Sequence, residues 1–135
     1  MGNQGIPWDD KVNKVRSEGV LGMQLYAIFT TPASPDEGLG PILDNIGPHL
    51  EYQKKLEEAG IMFAAGPFAD DAQEWWQGEG MVIVRASSPE AASKIAAADP
   101  MHQSGARTFR VRPWLLNEGS LTLRVTYSNG GRTVE

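Results

Sequence analysis

Two side chains in this sequence have the chemistry of a proton-transfer pair. His49 is the second residue of the run PHLEYQKKLEEAG, and Asp99 stands before Pro100 in ADPMHQSG. A carboxylate beside an imidazole fixes its tautomer and orientation, and a base held in this way contributes typically about 10² to 10⁴-fold to a rate. At roughly 100° per residue, Leu56 and Tyr52 fall to one side of His49 and Leu50 to the other, whereas Glu51, Lys54, Lys55 and Glu58 lie well away. His49 therefore faces the core side of its helix, where an imidazole needs a partner or a purpose. On a later helix Ala92, Ile95 and Asp99 share a stripe at spacings of three and four, which brings Asp99 to the core side as well. The structural alternative is a core histidine bonded to a backbone carbonyl, with Asp99 merely shaping a helix-end turn.

The pair has no nucleophile beside it. There is no cysteine, no GxSxG elbow and no evident serine triad, so covalent acyl transfer is disfavoured and proton abstraction followed by elimination or isomerisation is the supported chemistry. Tyr52, Phe68, Trp75 and Trp76 are candidates to line an apolar pocket, with core packing or a subunit contact as rival roles for the two tryptophans. Arg110 and Arg112 are candidates to meet an anionic group, or to form salt bridges at a dimer interface. His102, three residues after Asp99, belongs to a solvated turn or to the pocket rim, and Trp114 closes the strand that carries the arginines. His49, Asp99 and His102 would match a two-histidine, one-carboxylate metal set, but the spacing does not require one and no metal is expected. No phosphate loop or dinucleotide fingerprint is present, and no cofactor is expected.

The elements that position these residues can be read in order. Residues 7–18 predict a short helix with Trp8, Val12 and Val15 on one face. Met23–Thr31 predicts a strand that is apolar on both faces. A loop rich in Pro, Gly, Ser and Asp follows, with a turn of helix over 41–46 and a break at Gly47–Pro48. Pro48 suits the first position of the His49 helix, and Gly60 its stop. Strands are predicted over 61–66, 81–86 and 108–114, and a helix begins at Ser88–Pro89–Glu90 with Ser88 as N-cap. In the fourth strand Phe109, Val111 and Pro113 alternate with Arg110, Arg112 and Trp114. Residues 100–105 predict a short turn. Beyond Asn117, Leu121, Leu123, Val125 and Tyr127 alternate with polar residues, and SNGG signals a hairpin at an edge or reaching a neighbouring subunit.

A chain of 135 residues with a formal charge of −5 and no basic run does not fit general nucleic-acid binding, which rests on a surplus of Lys and Arg. No apolar run approaches the roughly 20 residues of a membrane span, and the first twenty residues lack a signal-peptide core; a cytoplasmic protein is expected.

The order strand, helix, strand, strand, helix, strand is that of the ferredoxin-like βαββαβ fold, an α+β arrangement with an antiparallel sheet. Its two central strands are apolar on both sides, which predicts a homodimer packed sheet to sheet. The expected organisation is an N-terminal arm over 1–21, the ferredoxin-like domain over 22–116 and a C-terminal β extension over 117–135. The HLEYQKKLEEAG helix, AAGPF, GMVIVRASSPEAA and ADPMHQSG leading to VRPW resemble the YciI-like (YCII-related) family of dimeric α+β barrel proteins over residues 22–115. That resemblance implies a His–Asp site at His49 and Asp99, and activities that include loss of chloride from a chlorinated, hydroxylated ring. The expected function is a cofactor-independent lyase or isomerase acting on a small hydroxylated, cyclic or aromatic metabolite. The alternative is a non-catalytic dimeric module binding a small ligand or a protein. A cofactorless oxygenase rests on fold analogy alone.

Overall fold

A computed structural model of the protein describes residues 4–135. The chain divides into two compact units, one of residues 24–114 and one of the two end segments, up to Met23 and from Leu115 onward.

In the larger unit the elements are β1 (Met23–Pro32), α2 (Gly40–Asp44), α3 (Ile46–Glu58), β2 (Met62–Pro67), β3 (Gly80–Val84), α4 (Pro89–Ala97), α5 (Pro100–Gln103) and β4 (Arg107–Leu116). The outermost residues of β1 and β4 cross the unit boundary. The sheet order is β2-β3-β1-β4, so the two most apolar strands are central. β1 and β2 each pair antiparallel with β3. The bonds from Ala33 to Ala106 and from Thr31 to Thr108 and the register of Gln24 with Trp114 run in opposite senses, which makes β1–β4 antiparallel too. This is the α+β, ferredoxin-like order. Tyr26, Ile28, Val82 and Val84 point to one face and pack with Ala92 and Ala96 of α4, joined at the margin by Phe109 and Val111. A second cluster, Ile42, Met101 and Ala106, ties α2 to α5 and the start of β4.

Three local readings need correction. The break at Gly47–Pro48 is absent: α3 begins at Ile46, with Asn45 as its N-cap residue, so Pro48 is the third helical position. The first turn's N–H groups have no intrahelical acceptors, so a proline there forfeits no bond. Residues 100–103 form a one-turn helix rather than a plain turn, because the Asp99 side chain caps it. The tail hairpin is not an edge of the main sheet; β5 (Leu123–Val125) and β6 (Arg132–Val134) form a separate two-stranded sheet.

In the smaller unit, α1 (Trp8–Ser17) buries Val12 and Val15 against Leu115 and Val20. Arg16 Nε donates to the Gly22 carbonyl at 2.9 Å. Among the described residues no helix is long and apolar enough to cross a membrane.

Candidate active site

The site begins with backbone geometry at Asp99. Pro100 disfavours α geometry in the residue before it. Asp99 accordingly leaves the helical region, with φ −66° and ψ 127°, and its carboxylate accepts the Met101 N–H at 2.8 Å to start α5. The same carboxylate accepts from His49 Nδ1, at 2.9 Å to Oδ1 and 2.8 Å to Oδ2. His49 reaches it from the buried stripe of α3, which it shares with Leu56. Both partners are buried, at 6% and 5% exposure. A carboxylate only accepts, so the proton of neutral His49 sits on Nδ1 and Nε2 is left as an acceptor on the other edge of the ring.

His49 lines a cavity of about 410 Å³ whose walls include Ile46, Leu50 and Trp76, with Thr30 and Arg107 as polar contributors. The small residues Ala65, Gly66 and Gly80 form its sheet side. Thr30 is itself tied to His102: its hydroxyl lies 2.8 Å from His102 Nε2, and His102 Nδ1 lies 2.6 Å from the Ala96 carbonyl. A carbonyl cannot donate, so Nδ1 carries the proton and Thr30 donates to Nε2, which leaves the threonine oxygen with lone pairs only. Burial holds His102 below the usual histidine range, outweighing the opposing pull of the Ala96 carbonyl and of Asp99, so the ring is neutral at neutral pH.

Arg107 has no place among the residues singled out from sequence. Its Nε donates to the Gly78 carbonyl at 2.8 Å. Burial pulls the guanidinium below its ordinary range while the Asp99 charge acts to raise it, and the group stays cationic at neutral pH. The signal was its phase: Arg107 shares the alternation of Phe109 and Val111, the apolar face, where a charge is out of place. A strand read as starting at Thr108 stops one residue short of it.

The other residues singled out from sequence divide. Tyr52 lies next to the pair without lining the cavity: its hydroxyl donates to the Ile95 carbonyl at 2.7 Å, and burial, then the Asp99 charge, raise its pKa. Trp76 lines the cavity, packs on the Ile42–Met101–Ala106 cluster and donates from Nε1 to the Glu79 carbonyl at 3.0 Å. Trp75 turns away and is 66% exposed. His102 meets the cavity only through Thr30. Phe68 lies beyond the cavity at the exposed end of β2 and lines smaller hollows. The strand pleat puts Arg110, Arg112 and Trp114 on the face opposite Arg107, away from His49. There the Arg110 guanidinium lies over the Phe29 ring, 5.5 Å from its centroid. Among the described residues no three His, Asp or Glu side chains are grouped to hold a metal ion.

No curated protein matches the chain. Among solved structures, the chain is similar to 5-chloro-2-hydroxyhydroquinone dehydrochlorinase (TftG) from Burkholderia phenoliruptrix AC1100, in complex with 2,5-dihydroxybenzoquinone. The match has 21% identity and a TM-score of 0.52, and covers 67% of this chain and 92% of that one. At that identity the likeness is one of fold. The model of the YCII-related domain matches residues 25–115, which is most of the chain and includes both His49 and Asp99, and the chain belongs to the YCII-related domain family.

Proposed function

We propose that this protein is a cofactor-independent lyase or isomerase of small hydroxylated ring compounds, with His49 as general base and Asp99 as the residue that positions it. One observation carries the reading: a buried imidazole, its Nδ1 held by a carboxylate at 2.8 Å, lines a cavity of ring-compound size. In the proposed reaction Nε2 takes a proton from an acidic O–H or C–H of the bound ring. The Asp99 carboxylate stabilises the imidazolium that forms and is not itself protonated. The electron pair left on the substrate becomes a new C=O or C=C bond. In an elimination a leaving group such as chloride departs with its own bonding pair, so no oxidant or reductant is needed. In an isomerisation the imidazolium returns the proton to another carbon. Trp76, Ile46 and Leu50 offer the ring apolar walls, and the Thr30 oxygen accepts from a substrate hydroxyl. The fold likeness to a dehydrochlorinase and the family membership support this class of chemistry.

The test is turnover of 5-chloro-2-hydroxyhydroquinone and a panel of hydroxylated rings, with chloride release and ring absorbance as readouts. His49→Gln is expected to lower any activity found by about 10² to 10⁴-fold with the fold intact. Unchanged turnover in that variant refutes the base. Ligand binding without turnover of any compound favours a binding module.

The protein is also proposed to be a homodimer joined through the sheet face away from the helices, where Phe29 and Met81 remain only partly covered. Sedimentation at micromolar concentration is expected to give a dimer, and a monodisperse monomer refutes it.

A further inference from the structure

The cavity holds one cation that the reading above does not use. Arg107 is 5% exposed, yet among the described residues the single ion pair is that of His49 with Asp99, so no carboxylate stands within 4.0 Å of the guanidinium. Among the described residues the guanidinium makes one hydrogen bond, from Nε to the Gly78 carbonyl, and no acceptor there takes the Nη hydrogens. The Nη nitrogens keep contact with the cavity space, where water or an anion completes a charge that is otherwise costly to hold at this depth. Asp99, the carboxylate whose charge Arg107 feels, is already engaged by His49 and the Met101 N–H. Glu79, also on the cavity wall, has an exposed side chain.

The anchor of Arg107 is built rather than incidental. Gly78 is buried at φ +93°, and a Cβ there would lie 2.5 Å from Ile42 Cδ1 and 3.0 Å from Pro32 Cγ. Glycine is the residue that holds its carbonyl here without strain or a clash. Fixing Nε leaves the far side of the planar guanidinium in one orientation, which suits a flat, delocalised oxyanion.

We propose that Arg107 binds the negative charge of the substrate, so that the cavity selects ring compounds carrying an ionised oxygen, a phenolate or enolate, over neutral rings of the same shape. This deepens the function proposed above and rests on its assignment of the cavity as the substrate site. A cation at the ring oxygen also favours the charge that develops there when His49 removes a proton.

The probes are 4-nitrophenolate, held above its pKa, and its neutral methyl ether 4-nitroanisole, with binding measured by calorimetry. Wild type is expected to prefer the phenolate by roughly 10- to 100-fold, the range of a hydrogen bond to a buried charge. Arg107→Gln is expected to remove that preference while leaving the ether within about threefold of wild type, and Arg107→Lys to keep part of it. Equal affinity of wild type for the two probes, equal loss of both in Arg107→Gln, or no binding of the phenolate at millimolar concentration overturns the proposal. The comparison of probes on wild type needs no variant to fold. His49→Gln separates this inference from the catalytic one: phenolate binding that persists in a protein without turnover supports the role of Arg107 even if the lyase reading fails.

Discussion

Asp99 joins stability to the candidate site, and a double-mutant cycle with His49 measures the joint. Its carboxylate makes two kinds of contact, a helix cap to the Met101 N–H and a charge-assisted bond from His49 Nδ1, all at 2.8–2.9 Å and out of solvent. Loss of a cap costs about 1 kcal/mol. Loss of a hydrogen bond to a charged group costs about 1.5–3 kcal/mol. Asp99→Ala in wild type is therefore expected to destabilise by about 2.5–4 kcal/mol. In a His49→Ala background only the cap remains to be lost, and the same substitution should cost about 1 kcal/mol. The coupling is the difference, about 1.5–3 kcal/mol. Asp99→Asn, which still caps, should fall between wild type and Asp99→Ala. The assay is urea unfolding at matched protein concentration, since any self-association would otherwise shift the midpoint. If Asp99→Ala costs the same in both backgrounds, to within about 0.5 kcal/mol, the pair is not coupled and the positioning role falls.

Three further outcomes follow from the same geometry. Burial lowers the His102 pKa in the folded state, so the unfolded chain takes up its proton first as pH falls; this contribution to stability is complete above about 6.5, the unfolded value, and is lost progressively as pH falls from there through the lower folded-state pKa. His102→Gln should accordingly flatten the fall in melting temperature between neutral and mildly acidic pH, and an unchanged slope refutes it. Gly78→Ala forces a side chain into the left-handed region and against Ile42, and should destabilise by roughly 2–4 kcal/mol in chemical denaturation; a change under about 0.5 kcal/mol would show that the loop yields. Thr30→Val keeps the shape but leaves Nε2 of the half-buried His102 unpaired, at a cost of about 1–3 kcal/mol, and a neutral effect would mean that Nε2 finds water or another donor.

Much of this site was legible in the residues. The 3.6-residue period put His49 on the buried stripe of α3, and the Asp–Pro step placed Asp99 outside α geometry at the end of α4. Asp99 faces the core as the stripe predicts, but its side chain turns to cap α5 rather than simply extending the Ala92–Ile95 row. Arg107 escaped because its strand was read one residue short, although its phase with Phe109 and Val111 was visible. The arginines that alternation made conspicuous, Arg110 and Arg112, are those it sends to the other face. The difference between Trp75 and Trp76 has no local signal at all. Two adjacent indoles are separated by the course of an irregular loop, and that course is set by contacts with Ile42, Met101 and the Glu79 carbonyl from distant parts of the chain.

The cavity itself follows from register, which no single strand reveals. On the helix-facing side β1 and β3 pair Tyr26 with Val84, then Ile28 with Val82, then Thr30 with Gly80. The first two rows fill the space beneath α4, with Tyr26, Val84 and Ile28 all buried. At the third row the side chains shrink to a threonine and no side chain at all, and β2 continues the taper with Ala65, Gly66 and Pro67. A side chain at Gly80 would be crowded, since a Cβ there would lie 3.2 Å from the Gly66 carbonyl oxygen. Each strand alone reads as an apolar run that thins toward one end. Only when the antiparallel pairing brings the thin ends together does the volume accumulate in one place, and it does so beneath the turn of α3 that carries His49. The same pairing that builds the core thus decides where packing stops and where a cavity opens.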